Sequence, residues 1–223
     1  MSNYLILGSE GVVGKALCNY LDEINISYTR FDKLISNEQD LTNLENSSYL
    51  EECIKKTDLV FFLAFDVGGS KYLTNDNFEM FDNNIVMTFN TYKIIKKYNK
   101  KSIFATSIMS NMTYNNYGLS KLIGERYSEL LGGLCFKIWN CYGFEDPNIY
   151  GEKMHAIGDF ICKAIKGKDI DMLTDGEEMR QYTYTKDFAK ALYQVGVNYD
   201  EILSKQNLID ISCFEWTKLI DIA

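Results

Sequence analysis

The chain has 223 residues, nearly half of them apolar, enough for one sizeable core or for one full domain with a smaller appendage. Acidic residues outnumber basic ones 31 to 23, for a formal charge of -8 without any Lys/Arg-rich block. This balance argues against nucleic acid or anionic membrane as a partner, while small anions can still be held by local cations and helix termini.

Six scattered cysteines (Cys18, Cys53, Cys135, Cys141, Cys162, Cys213) form no CxxC pair, and a single histidine accompanies them. No metal site is expected, and the thiols read as reduced, mostly buried and cytosolic. The N-terminus enters an apolar strand without a basic leader, and no apolar run approaches the ~20 residues of a membrane span. A cytoplasmic protein is expected.

In chain order, Tyr4-Leu5-Ile6-Leu7 is a short apolar run followed by Gly8-Ser9-Glu10-Gly11-Val12-Val13-Gly14 and by helical periodicity from Lys15 to Leu21. Strand, glycine turn and helix in that order form a dinucleotide-binding unit: Gly8, Gly11 and Gly14 permit a tight turn, close backbone approach to a pyrophosphate, and helix-on-strand packing. A second strand, Ile26 to Phe31, delivers Asp32 where such folds bond the adenosine ribose hydroxyls. A carboxylate there repels a 2'-phosphate and favours NAD over NADP, although Arg30 is a guanidinium that can accommodate one. Asp40-Leu41-Thr42 reads as the cap of a helix containing Leu50, Cys53 and Ile54.

Asp58 to Ala64 is a continuous apolar run suited to a parallel strand covered on both faces, with a loop from Phe65 to Ser70 at its carboxyl edge. A long helix follows from about Asn77 to Tyr98. The next strand, Ser102 to Ser107, brings Ser107 to the same edge ten residues before Tyr117. Tyr117 opens a helix running to Leu131, and Leu134 to Trp139 is another strand. Alternating strands and helices predict a doubly wound parallel sheet, an α/β fold of Rossmann type over residues 1–143. Residues 144–223 read as a small substrate-binding region interleaved with that core: a helix around His155 to Lys166, a short strand near Ile170 to Leu173, a helix from about Lys186, a strand from Leu208 to Ile211 and a helix from Trp216 to Ile222.

Tyr117 and Lys121 lie one helical turn apart on one face, so the ammonium can sit beside the phenol and lower its pKa, which makes the tyrosine an acid/base near neutral pH. Tyr92 with Lys96 and Tyr182 with Lys186 share the spacing, and roughly one or two such matches arise by chance. Only Tyr117 opens a helix directly after a strand that ends in a hydroxyl.

These pieces, in this order, resemble the extended short-chain dehydrogenase/reductase family, the NAD-dependent epimerase/dehydratase group acting on nucleotide sugars. The resemblance covers essentially the whole chain. It makes Gly8, Gly11, Gly14, Asp32, Asp40, Leu41, Leu63 and Ala64 cofactor-binding residues and Asn84 a helix asparagine typical of the group. Ser107, Tyr117 and Lys121 become the catalytic set, the last two also contacting the cofactor. Asn140-Cys141-Tyr142-Gly143 is similar to an N-x-Y-G segment whose asparagine contacts a substrate phosphate, and Arg180 to an arginine that holds the pyrophosphate.

The implied activity is epimerisation of a nucleotide sugar, C4 foremost, by transient oxidation and return of the hydride. The alternatives are an NADPH-dependent keto-sugar reductase and a non-catalytic dinucleotide-binding module. Ile108-Met109 replaces the Asp-Glu pair of the dehydratases, and the cysteine that follows the serine in GDP-fucose-synthase-like members is absent. Yet His155-Ala156-Ile157-Gly158 and Val67-Gly68-Gly69 are similar to segments of that subgroup, making His155 a candidate pocket acid. Lys137 stands where arginine is commoner, the loop from Ser107 to Tyr117 is short, and the end at Ala223 implies a shortened substrate region. Helices near 77–98 and 117–131 imply a homodimer.

Overall fold

The computed structural model describes residues 3–43, 47–74 and 77–223. Its elements run β1 (Tyr4–Leu7), α1 (Val12–Glu23), β2 (Tyr28–Phe31), α2 (Ser47–Lys56), β3 (Leu59–Phe62), α3 (Ser70–Thr74), α4 (Phe78–Tyr98), β4 (Lys101–Ser107), α5 (Asn116–Leu130) and β5 (Leu134–Ile138). The second part adds β6 (Asn140–Tyr142), α6 (Pro147–Tyr150), α7 (Ala156–Ile165), β7 (Met179–Arg180), β8 (Tyr182–Tyr184), α8 (Thr185–Val197), α9 (Tyr199–Leu203), β9 (Leu208–Ile211) and β10 (Thr217–Lys218).

Six parallel strands form the central sheet in the order β2-β1-β3-β4-β5-β9. The strand order reverses at β1, because β2 lies to one side and β3 to the other, and a crevice opens there at the carboxyl ends. Both β1 and β3 are buried throughout, as expected of apolar runs covered on two faces. One face packs Leu17 and Leu21 of α1 with Phe188 and Leu192 of α8 against Ile6, Phe61 and Phe136. The other packs Leu50, Ile54, Tyr92 and Ile95 against Leu5, Leu7, Phe62 and Phe104.

Helix ends follow local chemistry. Asn77 caps α4 by accepting from the Met80 amide at 3.0 Å, and Asn99 closes it in the left-handed region at φ 49°. Asn115 caps α5 by accepting from the Gly118 amide at 3.0 Å. The second part of the chain returns to the core, since α8 covers α1 and β9 extends the sheet beside β5. The small parallel pair β6-β8 and the antiparallel pair β7-β10 lie outside it.

Four expectations are corrected. Residues Ile170 to Leu173 form no strand; no neighbouring edge pairs with them, and Asp171 instead ties to Lys163 at 2.5 Å. Trp216 to Ile222 is not a helix, because Thr217 and Lys218 pair with Arg180 and Met179, and the Trp216 ring meets Trp139 edge-on at 5.8 Å. Asp40 does not cap α2: its carboxylate accepts from the amide and hydroxyl of Thr42 at 2.9 and 2.7 Å, closing a local turn. Only Cys18 and Cys135 are buried, with Cys53, Cys141 and Cys162 half-buried and Cys213 exposed. Among the described residues, no helix is long and apolar enough to cross a membrane.

Candidate active site

The glycine loop connects β1 to α1 at the switch point. Gly8 sits at φ +86°, and a Cβ on it would lie 2.5 Å from the backbone nitrogen of Ala64 at the end of β3. A Cβ on Gly14 would fall 2.0 Å from the Gly8 carbonyl oxygen. These contacts are why glycine is needed: the loop is pressed flat between the helix start and the neighbouring strand. Gly11 begins α1 with no side-chain cap, leaving the first amides of that helix free to meet an anion. The Ser9 hydroxyl is fully buried within this loop and has no hydrogen-bond partner among the described residues. Asp32, at the end of β2, accepts from the Glu10 amide and the Leu34 amide, both at 3.0 Å, and its own amide donates to Gln39. Leu41 is buried, and its carbonyl accepts from Asn90 at 2.8 Å.

Beyond β3, Leu63 continues the ladder through its amide to Leu7, and Asn84 clamps the following turn. That asparagine is fully buried; its side chain accepts from the Asp66 amide at 2.7 Å and donates to the Asp66 carbonyl at 3.0 Å. Both bonds hold the backbone of residues 65–66 at the edge where the strands end. The Asp66 carboxylate takes Lys153 at 2.6 Å and the Tyr72 hydroxyl at 3.0 Å, which holds its pKa below the usual carboxylate range against the effect of burial.

Ser107 ends β4, and its hydroxyl accepts from the Met109 amide at 3.2 Å as the chain turns through a short 3-10 helix. The tight connection to α5 rests on Gly118, where a Cβ would lie 2.3 Å from the Met109 carbonyl and 2.5 Å from that of Met112. This close approach lets so short a loop carry Tyr117 back beneath Ser107. Burial pushes the Tyr117 phenol above its ordinary pKa, opposed by a hydrogen bond with Ser107. Burial also drives Lys121 down to about 7, opposed by the nearby Glu125 carboxylate.

Lys121 and Tyr117 share one buried face of α5, with Nζ 5.7 Å from the phenol ring centre. The lysine also has partners other than the phenol. Its Nζ donates to the Ala105 carbonyl at 2.6 Å and lies 3.6 Å from the Phe65 ring centre, and Phe65 meets Tyr117 edge-on at 5.9 Å. Sequence reasoning missed Phe65 because nothing in the local pattern marks an aromatic just past a strand as a cover for residues more than 50 positions away.

The other two Tyr/Lys pairs are set apart by geometry. Tyr92 is core, stacked on Tyr127 at 5.7 Å, with Lys96 exposed. Tyr182 lies on a strand, and Lys186 pairs with Glu23 at 2.9 Å. Lys137 is buried 3.9 Å from Glu125, which also accepts from Thr106 at 2.5 Å.

The second part of the chain folds over this edge. Asn140 reaches the Gln181 carbonyl at 3.4 Å, one residue from Arg180, whose side chain is exposed and 3.9 Å from Glu178. His155 caps α7 beside Gly69 and holds the buried carboxylate of Glu145, 2.5 Å from its Nδ1. The Tyr150 hydroxyl donates to the Glu10 carbonyl at 3.4 Å, bringing α6 to the glycine loop. Glu145 and Tyr150 carry no motif, so spacing had no means of finding them. A cleft of about 460 Å³ is lined by Tyr142, Tyr182, Tyr184, Ile211, Cys213 and Glu215, among others.

A parallel sheet with a glycine loop at its switch point, and with half-buried Ser107 and buried Tyr117 and Lys121 at its carboxyl edge, defines a dinucleotide-dependent enzyme of the extended short-chain dehydrogenase/reductase kind. The model of the NAD dependent epimerase/dehydratase family matches residues 4–209, and the chain belongs to that family.

Three comparisons illustrate the relationship. A protein of Methanocaldococcus jannaschii carrying the provisional name UDP-glucose 4-epimerase is 26% identical over 224 residues, 84% of this chain and 71% of that protein. The GDP-L-fucose synthase of Dictyostelium discoideum is 27% identical over 250 residues, 97% of this chain and 78% of that protein. The solved structure of the Bordetella bronchiseptica enzyme WbmF in complex with NAD+ superposes with a TM-score of 0.74 at 19% identity, over 100% of this chain and 76% of that one.

NAD is the cofactor of the family, and the residues here fit it. Gly8 and Gly14 allow the backbone around the loop to pack closely, the buried Ser9 hydroxyl lacks a hydrogen-bond partner among the described residues, α1 begins without a side-chain cap, and Asp32 stands at the strand end.

Proposed function

We propose that the chain is an NAD-dependent nucleotide-sugar epimerase that oxidises a sugar hydroxyl transiently, C4 foremost, and returns the hydride to the opposite face. The observation that carries this reading is the convergence of Ser107, Tyr117 and Lys121 near the carboxyl end of β4. NAD, when bound, supplies the acceptor and donor of the hydride. Tyr117 exchanges the proton of the sugar hydroxyl at its phenolic oxygen, and Ser107 hydrogen-bonds the same substrate oxygen. Lys121 contacts the nicotinamide ribose and, once charged, draws the phenol down toward neutral pH.

Residues 144–223 serve as the substrate-binding region. Asn140 and Arg180 hold the diphosphate, His155 stands as a pocket acid, and the cleft beside Tyr142 and Tyr182 takes the nucleotide end. Arg30 is engaged by the Glu10 carboxylate, which favours NAD chemistry over an NADPH-dependent reductase. The protein works in the cytoplasm as a homodimer. In support of the dimer, Phe89 of α4 and Leu122 and Leu130 of α5 are exposed apolar side chains.

Tyr117→Phe tests the assignment. Turnover of a panel of nucleotide sugars, followed by NMR, should fall by about 10²-fold or more, while calorimetry shows NAD+ still bound. Undiminished turnover in the variant would remove the tyrosine from the chemistry.

A further inference from the structure

We propose that Glu10 is the residue that restricts this chain to the unphosphorylated dinucleotide, by occupying Arg30 and closing the adenosine 2' position to a phosphate. Arg30 lies on β2, two residues before Asp32, and its side chain is nearly half exposed at the strand end where an adenosine ribose is received. By itself it is a guanidinium placed to fork onto a phosphate. The structure gives it another partner: its Nη2 is hydrogen-bonded to the Glu10 carboxylate, which also has Lys15 Nζ at 3.7 Å.

Glu10 is held in place from three directions. Its amide donates to the Asp32 carboxylate at 3.0 Å, its carbonyl accepts from Tyr150 at 3.4 Å, and its side chain is mostly buried, 17% exposed. Both cations, Arg30 and Lys15, thus face the Glu10 carboxylate, and Asp32 adds a second carboxylate through its bond to the Glu10 amide. A 2'-phosphate would bring about 1.5 to 2 further negative charges beside two carboxylates, with Arg30 and Lys15 already engaged by Glu10. The ribose hydroxyl of NAD brings none and still finds Asp32. Asp32 alone repels a phosphate, but an unpaired Arg30 would offset that repulsion; Glu10 removes the offset.

Glu10→Gln keeps the side chain's size and its loop amide while freeing Arg30 and Lys15. Calorimetric titration of the whole chain with NAD+ and NADP+ separates the terms. We expect the wild type to bind NAD+ with clear preference. The variant should bind NADP+ at least about tenfold more tightly than the wild type does, as expected for a charge-assisted bond made available, with NAD+ affinity held within about threefold. Adding Arg30→Ala to Glu10→Gln should abolish most of that gain. Equal affinity of the wild type for both dinucleotides would overturn the proposal. So would a variant that binds NAD+ normally without any gain for NADP+, or a gain that survives the loss of Arg30.

Discussion

Lys121 offers the most exacting test, because burial brings its pKa down to about 7 whereas the unfolded chain titrates it near the ordinary value of 10.5. The folded state then binds fewer protons than the unfolded state between those values, so this contribution to stability rises with pH across that window and is lost as pH falls toward 7. From pH 7 to 8.5 the two-state proton linkage gives a rise on the order of 1 to 2 kcal/mol. Lys121→Met keeps an unbranched side chain under Phe65 and removes the titration. Groups away from Lys121, such as the buried thiol of Cys18, are common to both proteins and cancel in the difference. Urea unfolding of both proteins without cofactor, at pH 7.0, 7.75 and 8.5, should therefore show the wild type gaining on the order of 1 to 2 kcal/mol relative to the variant. A constant difference across that range would mean that the lysine stays charged beneath Phe65, and the burial argument would fail. The same titration bears on mechanism, since a lysine neutral above pH 7 in the free protein can aid Tyr117 only after a change at Phe65.

Two further outcomes are expected. Gly14→Ala places a methyl 2.0 Å from the Gly8 carbonyl, so the loop must shift; NAD+ affinity measured by calorimetry should drop by at least about tenfold in a chain whose circular dichroism is unchanged. Sedimentation equilibrium at micromolar concentration should return twice the chain mass for the wild type and a single chain mass for Phe89→Asp, which charges an exposed apolar position on α4; a monomeric wild type would dismiss the dimer.

The strands of the central sheet were legible because β1, β3, β4 and β5 are apolar runs of strand length, and such runs have no stable place except between two helical layers. The weak elements of the second part were not. Thr217 and Lys218 belong to a segment with helical spacing, yet they form a strand because Met179 and Arg180 present an edge to them. Ile170 to Leu173 has alternation but no partner, and a strand without a partner has nowhere to place its backbone hydrogen bonds.

At the site, the same division holds. Spacing and order alone determined the glycine loop, Asp32, and the choice of Tyr117 over Tyr92 and Tyr182, because local periodicity and the rule that ligands meet carboxyl edges need no coordinates. Only the tertiary structure decided the electrostatics. Whether Lys121 is charged depends on its burial beneath Phe65, and whether Arg30 is free depends on Glu10, contacts between residues 20 to 56 positions apart. Desolvation and ion pairing act through space over a few ångströms, and the folded chain, not the spacing along it, sets those distances.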